Sequence, residues 1–422
     1  MKEPWPFWLT LAWFALTYAG MALGRIPGLR TDRAGIAWVG AALVLATGLL
    51  TFDEAVASID FETIALLMGM MVVVAHLRIS GFFDRLANWT LSHVHGPMGL
   101  LAATMGLSGV LSAVLVNDVV CLALTPLVLH LARRLRLDPK PYLIGLAIAS
   151  NIGSTATLTG NPQNMIIGGL SHISYLRFAA KLAPVALVGL VVAFLVTAWV
   201  FRASLRVTTP PAGDDPHEAP WQNEHASSPA HFALLVKSLV VTLGAVALFF
   251  AGAPMGVVAL GAAAVLLLGR VNPAKVYREI DWGLLVMFAG LFVVVRAFSD
   301  HVVRTWGVEH WSILQSDPVG PLSLASAALS NLVSNVPAVL LFETVVKAMS
   351  QARQETAWLA LAMSSTLAGN LTLLGSIANL IVVQNARREG VAISFWDYVR
   401  AGVPVTLLTL AVGIAWLWFA PY

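Results

Sequence analysis

Cysteine and charge are both scarce in this sequence. The chain of 422 residues contains one cysteine, Cys121, and only 11% of its residues are Asp, Glu, Lys or Arg. A single cysteine excludes an internal disulfide and any metal site that needs several thiolates. The charged share is far below the roughly 25% that is usual in soluble domains. With a hydrophobic share of 58% and a mean hydropathy of +0.80, the composition predicts a polytopic membrane protein and argues against nucleic acid as a partner.

Ten apolar windows are long enough to be spanning helices. They lie near residues 7–24, 35–51, 61–77, 141–169, 181–201, 232–250, 254–269, 282–298, 357–384 and 401–420. Two further apolar stretches, about 98–131 and 319–345, carry polar clusters at their centres. Each of these two stretches is either a pair of helices or one re-entrant hairpin.

Positive charge favours the hairpins, because Lys and Arg are enriched in short cytoplasmic loops. If both stretches are hairpins, the loops of one side carry 17 Lys and Arg residues and the opposite side carries 6. The formal net charge of +3 is thereby explained by topology. We therefore predict a multi-pass protein of the inner (plasma) membrane with both termini on the periplasmic or extracellular side.

The chain contains an internal repeat. Residues 59–74 and 280–295 share 6 identities in 16 positions, and residues 146–168 and 361–383 share 8 in 23. A polar segment, 207–231, separates the repeats and is expected to be a cytoplasmic linker. We predict an all-α polytopic membrane protein with a first repeat over 1–206 and a second over 232–422. Each repeat has five transmembrane helices, an odd number, so the two must be inverted, as in secondary transporters.

Two stretches are too polar for lipid-facing helices. SNIGSTATLTGNPQN (150–164) holds Gly153, Gly160 and Pro162, and SSTLAGNLTLLGSIAN (364–379) is its counterpart in the second repeat. Irregular backbone at membrane depth occurs only where it is buried in protein or lines a cavity. We predict discontinuous helices at 141–169 and 357–384 whose breaks form a binding site; the alternative is that the small residues only permit close helix packing.

The hairpin centres carry a second set of polar groups. Asn117 and Asp118 lie at the first, and Asn335 lies at the equivalent place in the second. Asp118 is an acid placed at membrane depth, which indicates proton exchange or cation binding; the alternative is a structural acid satisfied by neighbouring amides. Asp60 and Asp281 occupy equivalent helix starts, where acids stabilise the helix.

Four motifs of the chain, taken in order, resemble those of the ion transporter superfamily. They are VNDVVCLALTP, ASNIGSTATLTGNPQN, SNLVSNVPAV and STLAGNLTLLGSIANLIV. That superfamily includes ArsB arsenite permeases, NhaD sodium/proton antiporters, CitM citrate carriers and divalent anion symporters. The resemblance covers the whole chain and implies an elevator-type carrier, often dimeric, with one hairpin and one discontinuous helix from each repeat in its transport domain. The Asn-Asp pair at the first tip is similar to the arsenite permease branch, whereas residues 150–164 are similar to the citrate and NhaD branches.

The resemblance also implies a set of site residues. Asp118 is expected to couple the ion. The substrate is expected to bind at Asn117, Ser150, Asn151, Thr155, Thr157, Gly160, Asn161, Ser334, Asn335, Ser365, Thr366, Asn370, Thr372, Gly375 and Ser376.

No Lys or Arg falls within the four motifs, and hydroxyl and amide groups suit a neutral hydroxylated solute. We therefore predict a non-enzymatic secondary transporter that exports arsenite or antimonite in exchange for protons, with no cofactor. The alternatives are a sodium- or proton-coupled carrier of a small anion such as a di- or tricarboxylate, and a NhaD-like exchanger. Membrane lipid and the solute are the expected partners, and an arsenite-specific carrier would add a cytoplasmic ATPase or metallochaperone.

Overall fold

The computed structural model describes residues 5–23, 31–94, 96–206, 229–269, 271–307 and 317–419. All regular elements in these ranges are helices, so the predicted all-α class is confirmed. Most of the predicted linker, residues 207–228, lies outside the described residues. Within the described ranges, six helices are by length and composition able to cross a bilayer: Phe61–Ile79, Gly96–Val114, Tyr175–Val200, Phe232–Phe250, Trp282–Trp306 and Phe395–Phe419.

The first half of the chain forms ten helices in the described ranges. They are α1 (Trp5–Leu23), α2 (Arg33–Ala46), α3 (Phe52–Ser58), α4 (Phe61–Ile79), α5 (Phe82–His93), α6 (Gly96–Val114), α7 (Asn117–Arg134), α8 (Lys140–Ser154), α9 (Pro162–Ser171) and α10 (Tyr175–Val200).

The second half repeats this order. Its helices are α11 (Pro229–Phe250), α12 (Met255–Leu267), α13 (Pro273–Arg278), α14 (Trp282–Phe298), α15 (Arg304–Trp306), α16 (Gly320–Val333), α17 (Asn335–Lys347), α18 (Gln351–Ala368), α19 (Ile377–Arg388) and α20 (Phe395–Phe419). A π-helical turn, Ser299–Val303, joins α14 to α15.

One group of helices is held together by reciprocal contacts between the halves. Helix α4 packs on α12, and α14 packs on α2. A Cβ atom on Gly69 would lie 2.6 Å from the Ala259 backbone, and one on Gly290 would lie 2.8 Å from the Ala37 backbone. Glycine at both places lets the backbones cross closely, as small residues do at membrane helix contacts.

A second group is built from the hairpins and the discontinuous helices. Helix α6 packs on α8, where the hydroxyls of Ser112 and Ser150 lie 2.8 Å apart. Helix α16 packs on α18 through a hydrogen bond between Ser326 and Ser364. Both serine pairs are separated by 38 residues in the chain, so the same contact occurs once in each half. Helices α10 and α20 pack against each other beside this group.

Ion pairs tie helix ends and loops of one half to those of the other. In the described ranges these are Arg78–Glu279, Arg133–Glu389, Lys140–Asp397 and Arg177–Glu355. The residues of the first three pairs lie in or beside stretches that the Lys and Arg distribution predicts to be on the more positively charged side of the membrane. Those of the fourth lie where the same distribution predicts the opposite side.

Several predicted helix boundaries differ from the structure, and two of the differences have a clear local cause. The span predicted at 35–51 ends as a helix at Ala46, because the chain turns at Gly48, which has a φ of +68°. The span predicted at 181–201 begins at Tyr175, because the Ser174 side chain accepts a hydrogen bond from the Arg177 N–H and starts the helix earlier.

Candidate functional site

The break between α8 and α9 has a defined geometry. Asn161 ends the break and accepts a hydrogen bond from the Asn164 N–H at 2.9 Å, which starts α9. The side chain of Asn164 donates to the carbonyls of Ser154 (3.1 Å) and Thr157 (3.0 Å). A Cβ atom on Gly160 would lie 2.2 Å from the Ser154 carbonyl oxygen, so only glycine fits there. Helix α8 is thus capped by α9 through side-chain amides, as the predicted discontinuous helix requires.

The break between α18 and α19 is built in the same way. Ser376 caps α19 by accepting from the Ala378 N–H at 3.2 Å. Asn379 donates to the carbonyls of Gly369 (2.8 Å) and Thr372 (3.2 Å). Asn164 and Asn379 therefore fill the same role, each holding the two ends of its own break together.

The tip of the first hairpin reaches the first break. The Asn117 N–H donates to the Gly160 carbonyl at 2.9 Å, and its side-chain amide donates to Asn151 Oδ1 at 3.1 Å. Asp118 follows in the first turn of α7 and is only 5% exposed. Helix α8 precedes this contact along the chain and α9 follows it. The tip of the hairpin therefore lies at the same membrane depth as the break between them.

The tip of the second hairpin reaches the second break. Asn331, near the end of α16, donates to the Ala368 carbonyl at 2.9 Å. Ser334 joins the two arms with a φ of +77° and a ψ of 161°, a region that is nearly exclusive to glycine. Asn335 then begins α17. Strained backbone conformations of this kind cluster at functional sites, and Ser334 lies in the wall of a cavity.

Asn151 connects the two halves at the centre. Its amide donates to Asn370 Oδ1 (2.9 Å) and Asn379 Oδ1 (3.0 Å), and its Oδ1 accepts from Asn117 and from Ser376 (3.0 Å). All of its polar valences are therefore used. A second link joins Asn161 and Gln163 to the Thr366 hydroxyl, each at 3.2 Å.

Both hairpin tips and the starts of α9 and α19 surround one central cavity of about 20 Å³. Its lining residues are Asn117, Asp118, Pro162, Gln163, Phe288, Ser334, Asn335, Val336, Ser376 and Ile377. Asp118 is the one charged side chain among them. The Oδ1 atoms of Asn117 and Asn335 are buried and accept no hydrogen bond in the described structure. A buried amide oxygen without a partner is costly, so both atoms are poised to accept from a ligand.

Two larger cavities lie on either side of the central one. The Arg33 vestibule, about 610 Å³, is lined by residues of α2, α14 and α19 that include Arg33, Asp281 and Arg387. The Arg296 vestibule, about 460 Å³, is lined by Asp60, the N-cap of α4, and by residues of α9, α14, the π-turn and α17 that include Arg296.

Helix α14 lines all three cavities along one stripe. Asp281, its N-cap, and Leu284 face the Arg33 vestibule, Phe288 faces the central cavity, and Phe292 and Val295 face the Arg296 vestibule. These positions are separated by the three or four residues that return a helix to the same face. The two vestibules therefore lie at opposite ends of a helix that is about 26 Å long by its rise per residue.

Equivalent helices lead in opposite directions from the site. Helix α9 runs from Gln163 at the central cavity to Leu170 at the Arg296 vestibule. Helix α19 runs from Ser376 at the central cavity to Arg387 at the Arg33 vestibule. Asp60 and Asp281 cap α4 and α14 at opposite vestibules.

The predicted site residues fall into two sets. Five of the predicted substrate and coupling residues line the central cavity: Asn117, Asp118, Ser334, Asn335 and Ser376. The others form the framework behind it: Ser150, Asn151, Thr155, Thr157, Gly160, Asn161, Ser365, Thr366, Asn370, Thr372 and Gly375. Several of these hydroxyls already bond to protein carbonyls; Thr157, for instance, donates to Ala113 at 2.5 Å.

Sequence reasoning missed Gln163, Asn164, Phe288, Asn331 and Asn379. Asn164 and Asn379 occupy matched, identical positions in the aligned repeats, and that identity could have identified them. Phe288 and Asn331 carried no such signal, since their place depends on how separate helices meet. No group of three His, Cys, Asp or Glu residues in the described ranges is arranged to hold a metal ion.

Comparison with known proteins identifies relatives along almost the whole chain. The silicon efflux transporter LSI3 of Oryza sativa subsp. japonica is 32% identical, over 92% of this chain and 93% of its own. A 46 kDa membrane protein of Mycobacterium leprae is 30% identical, over 96% of both chains. The putative transporter arsB of Dictyostelium discoideum is 25% identical, over 92% of this chain and 87% of its own.

A solved structure shares the fold. The crystal structure of the YdaH transporter of Alcanivorax borkumensis, described as having an unusual topology, superposes with a TM-score of 0.57 at 15% identity. The match covers 98% of this chain and 96% of the other. A family model described as citrate transporter, CitMHS, matches residues 18–368. The chain therefore belongs to the CitMHS citrate transporter family, and the predicted membership of the ion transporter superfamily is confirmed.

Proposed function

We propose that this transporter exports a small neutral polyhydroxylated solute, arsenous or antimonous acid, in exchange for protons. The observation that carries the proposal is the wall of the central cavity. It offers amide and hydroxyl groups from both hairpin tips, including the two unpartnered oxygens of Asn117 and Asn335. A solute with several hydroxyl groups donates to such oxygens and accepts from amide N–H groups.

The charge of the cavity argues against a polyanion as the solute. Lys, Arg and His are missing from its lining, and its one charged side chain, Asp118, is acidic. Moving a multiply charged carboxylate out of water without a cationic partner costs several kcal/mol per charge. A neutral hydroxide avoids this cost.

We assign the binding and release of the coupled proton to Asp118. Its side chain is buried at the central cavity and has no ion-pair partner among the described residues. An ionised carboxylate in such a place is stabilised by taking up a proton or a cation. Competition between the proton and the solute for one cavity would couple their movements in opposite directions.

The named relatives support the same class of solute. One is a silicon efflux transporter and another is a putative transporter arsB. In water silicon(IV) and arsenic(III) form neutral hydroxides, which require similar hydrogen-bond partners.

A second candidate is a cation-coupled carrier of a small anion, favoured by the description of the family model. Asp118 and the two amide oxygens are oxygen donors of the kind that hard cations prefer. A bound cation would then supply the positive charge that the cavity lacks.

Uptake into everted membrane vesicles separates the two candidates. We expect arsenite to accumulate when an inward-acidic proton gradient is imposed and to stop when a protonophore collapses it. Citrate with magnesium or sodium serves as the comparison and should not accumulate. Gradient-independent arsenite entry, or accumulation of citrate alone, would contradict the proposal.

A further inference from the structure

The Arg33 vestibule contains two guanidinium groups without acidic partners. Arg33 begins α2 and Arg387 lies in the last turn of α19, and both line this cavity. Neither side chain forms an ion pair or a side-chain hydrogen bond in the described ranges. The Arg296 vestibule differs, because its three basic side chains are paired: Arg296 and Arg304 with Asp300, and Lys347 with Glu343.

The acids of the Arg33 vestibule are engaged elsewhere. Asp32 accepts from the Gly35 N–H at 2.8 Å and caps α2, and Asp281 accepts from the Leu284 N–H at 2.9 Å and caps α14. Each carboxylate therefore balances the positive end of its own helix. The two arginines keep their capacity for bidentate bonds to carboxylate or phosphate groups.

The size and position of the cavity suit a small ligand. Its volume of about 610 Å³ lies in the range of ligand sites in proteins, roughly 300–1,000 Å³. A narrower cavity of about 90 Å³, lined by Arg33, Met287 and Ser334, continues toward the central one. A ligand in the vestibule would stand between α2 and α14 on one side and α19 on the other.

We propose that the Arg33 vestibule binds a small multivalent anion, bearing carboxylate or phosphate groups, between Arg33 and Arg387. The anion bridges α2 to α19 and so links the reciprocally packed helices to the hairpin and broken-helix group. It regulates transport and is not itself carried, because the central cavity beyond it has no cationic side chain to receive it. Anion binding here does not depend on which solute the central cavity transports, whereas the regulatory role rests on the proposed neutral solute.

Binding of citrate and of inorganic phosphate to the purified full-length protein, measured by titration calorimetry, tests the site. The test variant is the double substitution Arg33→Gln with Arg387→Gln. The matched control is Arg388→Gln, which removes a neighbouring charge from the same last turn of α19 without lining the vestibule. Thermal unfolding without ligand checks that the variants are folded.

We expect at least about a tenfold loss of citrate affinity in the double variant and no change in the control, as for the loss of charge-assisted bonds. Equal citrate affinity in the double variant and the wild type, or no citrate or phosphate binding by a folded wild type, would overturn the site. Citrate counterflow in proteoliposomes should be absent. Counterflow that the double variant loses would make the anion a cargo and overturn its regulatory role.

Discussion

The carboxylate of Asp118 is the single charge at the central cavity, and its replacement tests the coupling directly. Asp118→Asn keeps the shape and hydrogen-bonding capacity of the side chain but cannot exchange a proton. We expect the variant to lose gradient-driven arsenite accumulation and to retain arsenite counterflow. Asp53→Asn, an exposed acid on α3, is the matched control and should behave as wild type. Full gradient-driven accumulation by Asp118→Asn would contradict the role given to this residue.

Asn335 and Asn151 are both buried amides, but they should respond differently to replacement. Asn335 Oδ1 has no partner, whereas Asn151 uses all of its polar groups within the protein. We expect Asn335→Ala to raise the KM for the solute by about tenfold with little change in thermal stability. Asn151→Ala should lower the melting temperature, because it leaves several buried groups unpaired. An unchanged KM in a folded Asn335→Ala would remove this residue from the binding site.

The helix breaks are the elements that were most predictable from sequence. Gly153, Gly160 and Pro162 together exclude a continuous helix, and the structure ends α8 at Ser154 and starts α9 at Pro162. The role of Asn331 could not be predicted, because it depends on the register between a hairpin and a separate helix. The place of Arg33 could not be predicted either, because its cavity forms where α2, α14 and α19 meet.

The close contact between Gly160 and Ser154 in the first break gives a prediction for the α8–α9 element. A methyl group at Gly160 would overlap the carbonyl of Ser154, so Gly160→Ala must push the two half-helices apart. We expect a loss of stability of about 1–3 kcal/mol and lower transport. Gly106→Ala on α6 is the control, because a Cβ atom there meets nothing within 4 Å. Equal melting temperatures for the two variants would show that the break is looser than described.

The arrangement of the whole molecule predicts which loops share a side of the membrane. Glu389 pairs with Arg133, and Glu355 pairs with Arg177. The Lys and Arg distribution predicts that these two pairs lie on opposite sides of the membrane. We expect Glu389→Cys to react with an impermeant maleimide only from the cytoplasmic side, and Glu355→Cys only from outside. The background is Cys121→Ser, which removes the one native thiol. Labelling of both positions from the same side would contradict the topology.

The most direct test of a carrier for neutral hydroxides is counterflow in proteoliposomes without an ion gradient. Vesicles are loaded with excess unlabelled arsenite, and the entry of radiolabelled arsenite is followed, with labelled citrate and unlabelled citrate as the comparison. We predict that labelled arsenite transiently accumulates above its external concentration and that labelled citrate does not, because the central cavity offers amides, hydroxyls and one acid. Accumulation of citrate without arsenite would contradict the account.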